Sequence, residues 1–284
     1  MCLTGSKGGR WKTALLSILT ALAVLPVVFV IVCAFLSPGS TEALFADIYS
    51  GGGTEKYITL RHIEWNLGQF YAAFLATPEY WLGFWNSVFL VVPCLLGTLI
   101  VSILSGYAFA KFRFRGKGLL FYLFLTVMLL PYQVRLVPDF FVGTTLGLIG
   151  NRLAVILPNI FTPFGCYLLF LYMKKIPDAS MEAARVEGAG SFQILLRVVL
   201  PQSLPGVGAL AILTLIDLWN SVEQPLILLR DEAKYPLSVE LQRIGAEEIG
   251  ISFACAAVYM IPILLSFLAG KDSMTKGIEN AYTD

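Results

Sequence analysis

Six long apolar stretches constrain the fold of this chain more than any other feature. A membrane-spanning helix needs about 20 mainly apolar residues, because each residue advances about 1.5 Å and the hydrocarbon layer is about 30 Å thick. The chain has 284 residues, of which 57% are hydrophobic and 14% are charged, whereas soluble domains are about one quarter charged. We therefore predict an all-α integral membrane protein with six transmembrane helices, near residues 13–36, 83–110, 118–141, 153–173, 204–229 and 251–270.

The basic residues predict how these spans are oriented. Lysine and arginine are enriched in cytoplasmic loops. If both termini are cytoplasmic, most of the chain's 20 basic residues lie on the cytoplasmic side, including those of the loop from Lys111 to Lys117, so we predict this orientation. The first span follows three basic residues and has no cleavage pattern, so we interpret it as an uncleaved anchor. The net charge of +1 gives no reason to expect a nucleic-acid partner.

The connections divide the chain into two parts. Residues 1–82 are predicted to form the anchor helix and an extracytoplasmic loop, and residues 83–284 the core transmembrane domain. A charged loop near 230–250 faces the side from which a solute would arrive. This loop is either a solvated charged segment or a docking surface for a delivery protein.

A polar insert at residues 174–203 interrupts the apolar pattern and indicates two short cytoplasmic helices. The first is predicted to begin near Asp178 and to end at Gly188, because glycine adopts the left-handed conformation that stops a helix. Ser191 is predicted to cap the second helix, at 192–200, which Pro201 and Pro205 would end before the fifth span. An ordinary cytoplasmic loop with two helices is the alternative interpretation.

The insert also carries a specific motif. Glu182-Ala183-Ala184-x-x-x-Gly188, followed by Val198-x-Leu200-Pro201, resembles the EAA signature of permease subunits of binding-protein-dependent ABC importers. Valine stands where isoleucine is usual, and Glu187 stands where aspartate is common. Further segments are similar to the maltose-type carbohydrate uptake family, among them Asn86-Ser87, Ser105-Gly106-Tyr107 and Leu218-Trp219-Asn220.

The resemblance implies a type I ABC importer permease fold in the bacterial plasma (inner) membrane. Two six-span permease subunits would form the pathway, the second expected to be a different chain, and two ATPase subunits would bind ATP and Mg²⁺. An extracytoplasmic solute-binding protein and membrane lipid are the other expected partners, and this chain itself would hold no cofactor. The EAA loop at 174–203 would contain the coupling helix that contacts an ATPase, through Glu182, Ala183, Ala184, Arg185, Glu187, Gly188 and Pro201.

Polar residues inside the spans are the candidates for the translocation pathway, because burying them in a membrane is costly. An aromatic face beside amide groups suits a sugar, which has apolar ring faces and many hydroxyls. The same residues also join helices to one another, and Arg135 stands four residues before Asp139. The predicted pathway residues are Gln133, Asp139, Trp219, Asn220 and Glu223.

These observations predict a permease subunit that forms half of the pathway of an ATP-driven importer for a sugar or oligosaccharide. The alternatives are an importer permease for a polyamine, phosphate or amino acid, and a secondary transporter. An enzyme is disfavoured because His62 is the only histidine and neither an HExxH nor a GxSxG motif occurs. The chain also lacks a phosphate-binding loop and a metal-ligand pattern, so ATP must bind to another subunit.

Overall fold

A computed structural model describes residues 7–49, 63–76, 78–244 and 248–282, and their regular structure is helical apart from one bridge between Leu36 and Trp65. His62 lies outside the described residues. The helices in chain order are α1 (Lys7–Ala34), α2 (Pro38–Tyr49), α3 (Gly68–Tyr71), α4 (Pro78–Lys111), α5 (Lys117–Met128), α6 (Tyr132–Thr145), α7 (Leu153–Ile160), α8 (Pro163–Lys174), α9 (Asp178–Val186), α10 (Ser191–Ile194), α11 (Leu200–Trp219), α12 (Glu223–Leu229), α13 (Leu237–Arg243) and α14 (Ile249–Tyr282).

Five stretches of these helices are long and apolar enough to cross a membrane. A sixth crossing arises if α5 and α6 together form one span. The six-span prediction is therefore confirmed when this bent pair counts as a single crossing. The five stretches are Trp11–Ala34, Glu79–Lys111, Leu153–Lys174, Ser191–Trp219 and Ile249–Gly270.

The third span is not the unbroken helix that we predicted for residues 118–141. The axes of α5 and α6 differ by 106°, and Pro131 stands between the two helices with an extended ψ of 144°. Proline has no amide hydrogen to donate, and its ring disfavours helical geometry in the residue before it. The break leaves the polar residues of this region on a short second helix.

The prediction for the fifth span was also wrong, at both ends. Pro201 does not end the helix that precedes it, because α10 passes through a π turn, Leu195–Val199, directly into α11. Proline clashes with the carbonyl four residues earlier, which for Pro201 is that of Arg197, and the wider π turn removes this clash. The span then ends at Trp219, and α12 is a separate helix.

The start of α10 requires a smaller correction. Gly190, rather than Ser191, occupies the capping position, and Ser191 is the first helical residue. The Gln193 side chain provides the cap by accepting a hydrogen bond from the Gly190 amide at 3.0 Å.

The chain forms two units, each with its own apolar core. The first comprises residues 1–81 and 241–260, and the second comprises residues 82–240 and 261–284. In the first unit, Phe45 stacks on Phe253 with 5.6 Å between the ring centroids. The second unit has one cluster near Leu90 and another near Tyr107, toward opposite ends of α4.

Small residues allow α4 to pack closely on α8 in the second unit. A Cβ atom on Gly106 would lie 2.9 Å from the Cβ of Leu169, and one on Gly165 would lie 2.2 Å from the hydroxyl of Ser102. Glycine at these crossings lets the two helices approach more closely than larger residues would permit. The close packing gives α4 a firm support along its length.

Candidate coupling and pathway sites

The helix α9 contains Glu182, Ala183 and Ala184, and Gly188 terminates it as the sequence predicts, two residues after its last helical residue, Val186. Gly188 has a φ of +88°, in the left-handed region that glycine adopts without steric cost. Its amide donates to the Arg185 carbonyl at 2.9 Å, and the Ala189 amide donates to the Ala184 carbonyl at 2.9 Å. These two bonds form a Schellman motif, which satisfies carbonyls that the helix end leaves free.

One face of α9 anchors it to the rest of the second unit. Met181 is only 2% exposed, and Ala184 is partly buried three residues later. Both side chains join an apolar cluster that includes Tyr107 of α4, Met173 of α8 and Val199 of the π turn. The helix is therefore packed against three other helical segments, and Ala184 contributes to that packing.

The opposite face of α9 is exposed. Ala179, Glu182, Ala183 and Val186 follow the i, i+3, i+4, i+7 spacing of a single helix face, and all four are exposed. Val186 is 90% exposed, a high value for a branched apolar side chain. Val186 was not among the predicted coupling residues, although a valine between Arg185 and Glu187 is a visible signal.

Two side chains of α4 bind the segments on either side of α9. Before the helix, Lys111 donates from Nζ to Asp178 Oδ1 at 2.8 Å and also to the Ile176 carbonyl. After it, the Tyr107 hydroxyl donates to the Ser191 carbonyl at 3.3 Å. The side chain of Lys111 is only 4% exposed, so α4 holds both ends of this insert.

An ion pair binds the start of α9, where Pro177 occupies the capping position and Asp178 is the first helical residue. Among the described contacts, no side chain caps α9, and the Asp178 carboxylate instead accepts from Lys111. This hydrogen bond, with the charge of Lys111, holds the pKa of Asp178 below its ordinary value. The carboxylate therefore remains ionised and paired throughout the neutral pH range.

The remaining EAA-loop residues lie on the surface or in the helix that follows. Glu182, Ala183, Arg185 and Glu187 are exposed, and Pro201 is an exposed residue in the first turn of α11. The structure thus places the predicted coupling residues on one short helix and its connection to α11. Their contact with a partner stays a prediction.

Two of the predicted pathway residues, Asp139 and Glu223, lie near Tyr132. Arg135 and Asp139 of α6, Asp217 of α11 and Glu223 of α12 all act electrostatically on its hydroxyl. The Arg135 guanidinium lies 5.8 Å from the centre of the Tyr132 ring. Arg135 also acts on Asp139, but the described residues include no ion pair within 4 Å between them.

The amide and aromatic candidates have different surroundings. Gln133, Asn220 and Glu223 are exposed, and Asn220 donates to the Ile216 carbonyl at 2.7 Å. Trp219 is only 3% exposed and contacts the ring of Phe84, with 5.9 Å between centroids. In this conformation Trp219 belongs to the apolar packing, and its exposure to a solute would require rearrangement.

Some polar residues in the spans join helices, as the alternative interpretation expected. Asn159 of α7 donates to Gln224 Oε1 of α12 at 2.7 Å, and its carbonyl accepts from Thr98 of α4 at 2.8 Å. Gln224 is 2% exposed, so this amide connects helices. Within the described residues, no three His, Cys, Asp or Glu side chains are grouped to hold a metal ion.

Residues 70–272 match the family described as the binding-protein-dependent transport system inner membrane component. The chain belongs to this family. As a member, it is the membrane-embedded permease subunit of an ABC transporter, and ATP hydrolysis belongs to a separate subunit. The EAA motif and both candidate sites lie within the matched residues.

Relatives agree with this assignment. The chain is 29% identical over 205 residues to the arabinooligosaccharides transport system permease protein AraQ of Halalkalibacterium halodurans, covering 71% of this chain and 74% of that protein. It is 27% identical over 261 residues to the diacetylchitobiose uptake system permease protein NgcG of Streptomyces coelicolor, covering 89% of this chain and 82% of that protein.

A solved structure agrees with the fold of this permease. A chain from a bacterial ABC transporter involved in the import of the acidic polysaccharide alginate superimposes with a TM-score of 0.79 at 21% identity, covering 96% of this chain and 100% of that chain. This likeness bears on the fold alone. The predicted ABC importer permease fold is confirmed.

Proposed function

We propose that this permease forms half of the translocation pathway of an ATP-driven importer for a sugar or oligosaccharide. Its solute would arrive on an extracytoplasmic binding protein. The observation that carries the proposal is the structure of α9, which is anchored on one face and exposes Glu182, Ala183 and Val186 on the other. The names of AraQ and NgcG, which refer to arabinooligosaccharides and diacetylchitobiose, support a carbohydrate solute.

The exposed face of α9 is the proposed contact with an ATPase subunit. Ala183 leaves room for a partner's backbone, while Glu182 and Arg185 orient the contact by charge. Val186 is the apolar anchor of this surface, since complete burial of a valine side chain contributes about 1.5–3 kcal/mol. Glu187 and Gly188 set the end of the helix, and Pro201 links the insert to α11.

ATP and Mg²⁺ bind to the partner ATPase subunits in this proposal. Closure of the ATPase pair moves α9, and the packing of Met181 and Ala184 transmits that movement to α4, α8 and α11. A ligand shifts a conformational equilibrium only through unequal affinity for the two states. Nucleotide therefore drives the pathway between its inward-open and outward-open states.

The pathway is proposed to pass the polar group around Tyr132. Glu223 of this group is exposed and Asp139 is partly buried, and the predicted residues Gln133 and Asn220 are also exposed. The group contains the carboxylates of Asp139, Asp217 and Glu223, and Arg135 offsets part of the negative charge of Asp139. Trp219 would take part only in another conformation, because Phe84 covers it here.

We also propose that both termini and α9 lie in the cytoplasm. The distribution of lysine and arginine residues supports this orientation, which places Lys111, Lys174 and Lys175 at the inner surface. The second permease of the pathway is proposed to be a different chain.

Reconstitution tests this function directly. The permease is purified with the ATPase, the second permease and the binding protein encoded beside it, and ATP hydrolysis is measured with arabinooligosaccharides or diacetylchitobiose. We expect one of these solutes, bound to the binding protein, to stimulate hydrolysis severalfold. Solute uptake by proteoliposomes that contain the permease without any ATPase would instead indicate a secondary transporter.

A further inference from the structure

The helix α4 contacts functional segments at both of its ends. At one end, Lys111 and Tyr107 hold the chain on either side of α9. At the other end, Asn86 and Ser87 hold the loop that follows α12. The two pairs of side chains are separated by 20 helical residues, a distance of about 30 Å at 1.5 Å per residue.

The second end of α4 is bonded as extensively as the first. Asn86 is 6% exposed, and its Nδ2 donates to the carbonyls of Ala233 at 2.8 Å and Tyr235 at 3.1 Å. Its Oδ1 accepts from the Arg152 guanidinium at 2.6 Å. The Ser87 hydroxyl accepts from the Leu237 amide at 2.9 Å, so the segment 233–237 has a fixed position on α4.

The helix between these ends is supported along its length. Gly106 and Ser102 pack against α8 so closely that a Cβ on Gly106 or Gly165 would overlap neighbouring atoms. Thr98 donates to the Asn159 carbonyl at 2.8 Å. Pro93 lies within this stretch and removes one backbone hydrogen bond of α4. The contacts of Thr98, Ser102 and Gly106 with α7 and α8 therefore support the helix, because close-packed interiors transmit displacement.

We propose that α4 is a lever that couples α9 to the loop at 233–237, with Lys111, Tyr107 and Asn86 as its positioning residues. The proposal rests on the proposed function, in which α9 receives the movement of an ATPase. It extends the movement that α4 receives from the packing of Met181 and Ala184 to the far end of that helix. The lever carries a nucleotide-driven displacement of α9 to the loop through side-chain hydrogen bonds, without passing along the chain between them.

A spin label at Ala233→Cys tests the lever without any solute. Ala233 is exposed, whereas the four described cysteines are buried, and a preparation without the substitution measures their background. The permease is assembled with its partner subunits in lipid nanodiscs. Label mobility is measured in the nucleotide-free complex and in the complex trapped with ATP and vanadate. The change between the two states is divided by the amount of trapped nucleotide.

We expect this change to fall at least twofold in Tyr107→Phe and in Lys111→Met. Tyr107→Phe retains the ring within its apolar cluster and removes only the hydroxyl, so it remains informative if Lys111→Met does not assemble. Lys111→Arg preserves the charge and the donors, and should restore most of the signal. Lys117→Met is the matched control, because Lys117 begins α5 across the short connection from Lys111 and its Nζ donates to the nearby Phe112 carbonyl at 3.0 Å.

A normal change in label mobility in Tyr107→Phe and Lys111→Met would overturn the lever while leaving the proposed function intact. Failure of the unsubstituted permease to assemble with an ATPase that hydrolyses ATP would instead overturn the proposed function itself. The two failures are therefore distinguishable within one set of preparations.

Discussion

Gly188 is the residue whose conformation most directly determines the shape of the proposed coupling loop. Alanine in the left-handed region costs about 1–2 kcal/mol, so Gly188→Ala should weaken the Schellman turn and displace the end of α9. We expect the solute transported per ATP hydrolysed to fall at least twofold in the reconstituted complex. Gly190→Ala is the matched control, because Gly190 has an ordinary φ of −73°. Equal coupling in the two variants would contradict this view of Gly188.

Val186 provides the apolar part of the proposed ATPase contact. Val186→Asp places a charge where the partner would have to desolvate it, so we expect much less ATPase to copurify with the permease. The loss corresponds to about 10-fold or more in affinity, since 1.4 kcal/mol is tenfold. Val186→Leu keeps an apolar group and should retain the complex. Unchanged copurification of Val186→Asp would exclude this residue from the contact.

Asn220 tests the pathway at the scale of a single amide. Asn220→Leu removes an exposed polar group that also bonds the Ile216 carbonyl, and we expect the apparent KM for solute uptake to rise severalfold with assembly unchanged. Gln202→Leu is the control, because Gln202 lies near the start of α11, the helix that Asn220 directly follows, and makes the same type of bond, to the Val198 carbonyl at 2.8 Å. If both variants transport alike, Asn220 belongs to helix packing.

At this scale the sequence predicts backbone requirements better than contacts. The left-handed Gly188 follows from the chemistry of glycine alone and was predicted correctly. The roles of Ala184 and Val186 could not be predicted, because both are small apolar residues and only the packing of Met181 establishes which face of α9 points inward. Ser191 was wrongly chosen as a cap because the sequence does not reveal that Gln193 performs this function from within the helix.

At the scale of helices, the sequence shows where the prolines are but does not show which of them end a helix. Pro131 breaks the third span, whereas Pro201 and Pro205 lie in or beside a helix that continues. At Pro201 a widened turn is present, because the π turn at Leu195–Val199 directly precedes it, whereas Pro205 lies within α11 without such a turn. The local sequence of a proline does not specify which of these outcomes follows.

Pro201→Ala tests whether this π turn is maintained by the proline. The Leu200 amide donates five residues back, to the Leu195 carbonyl, and alanine would allow a regular α-helix to form instead. Removing the extra residue of a π turn rotates α9 and α10 relative to α11 by about 100°, the angle per residue of an α-helix. We expect transport per ATP hydrolysed to fall at least twofold with normal membrane insertion. Pro205→Ala should have a smaller effect, because no π turn precedes Pro205. A larger loss of transport in Pro205→Ala than in Pro201→Ala would contradict the role of Pro201 in maintaining the π turn.

For the whole molecule, the apolar stretches predict the number of crossings and the family motif predicts the fold. The boundaries of the crossings are predicted less accurately. The fifth crossing begins in the polar insert at Ser191 rather than near residue 204. Polar residues such as Arg197 and Gln202 lie on this helix without interrupting it. A hydropathy pattern detects where lipid contacts a helix, but it does not detect where the same helix extends beyond the membrane.

The orientation of the whole permease is tested by paired cysteines. Ala183→Cys on α9 and Ala233→Cys on the opposite loop are both small, exposed positions, so neither substitution should disturb the fold. In right-side-out membrane vesicles, a membrane-impermeant maleimide should label Ala233→Cys and not Ala183→Cys, and inverted vesicles should give the reverse. The four described cysteines are buried and should react slowly. Labelling of Ala183→Cys from the outer side would place α9 away from any cytoplasmic ATPase, and the proposed coupling mechanism would then fail.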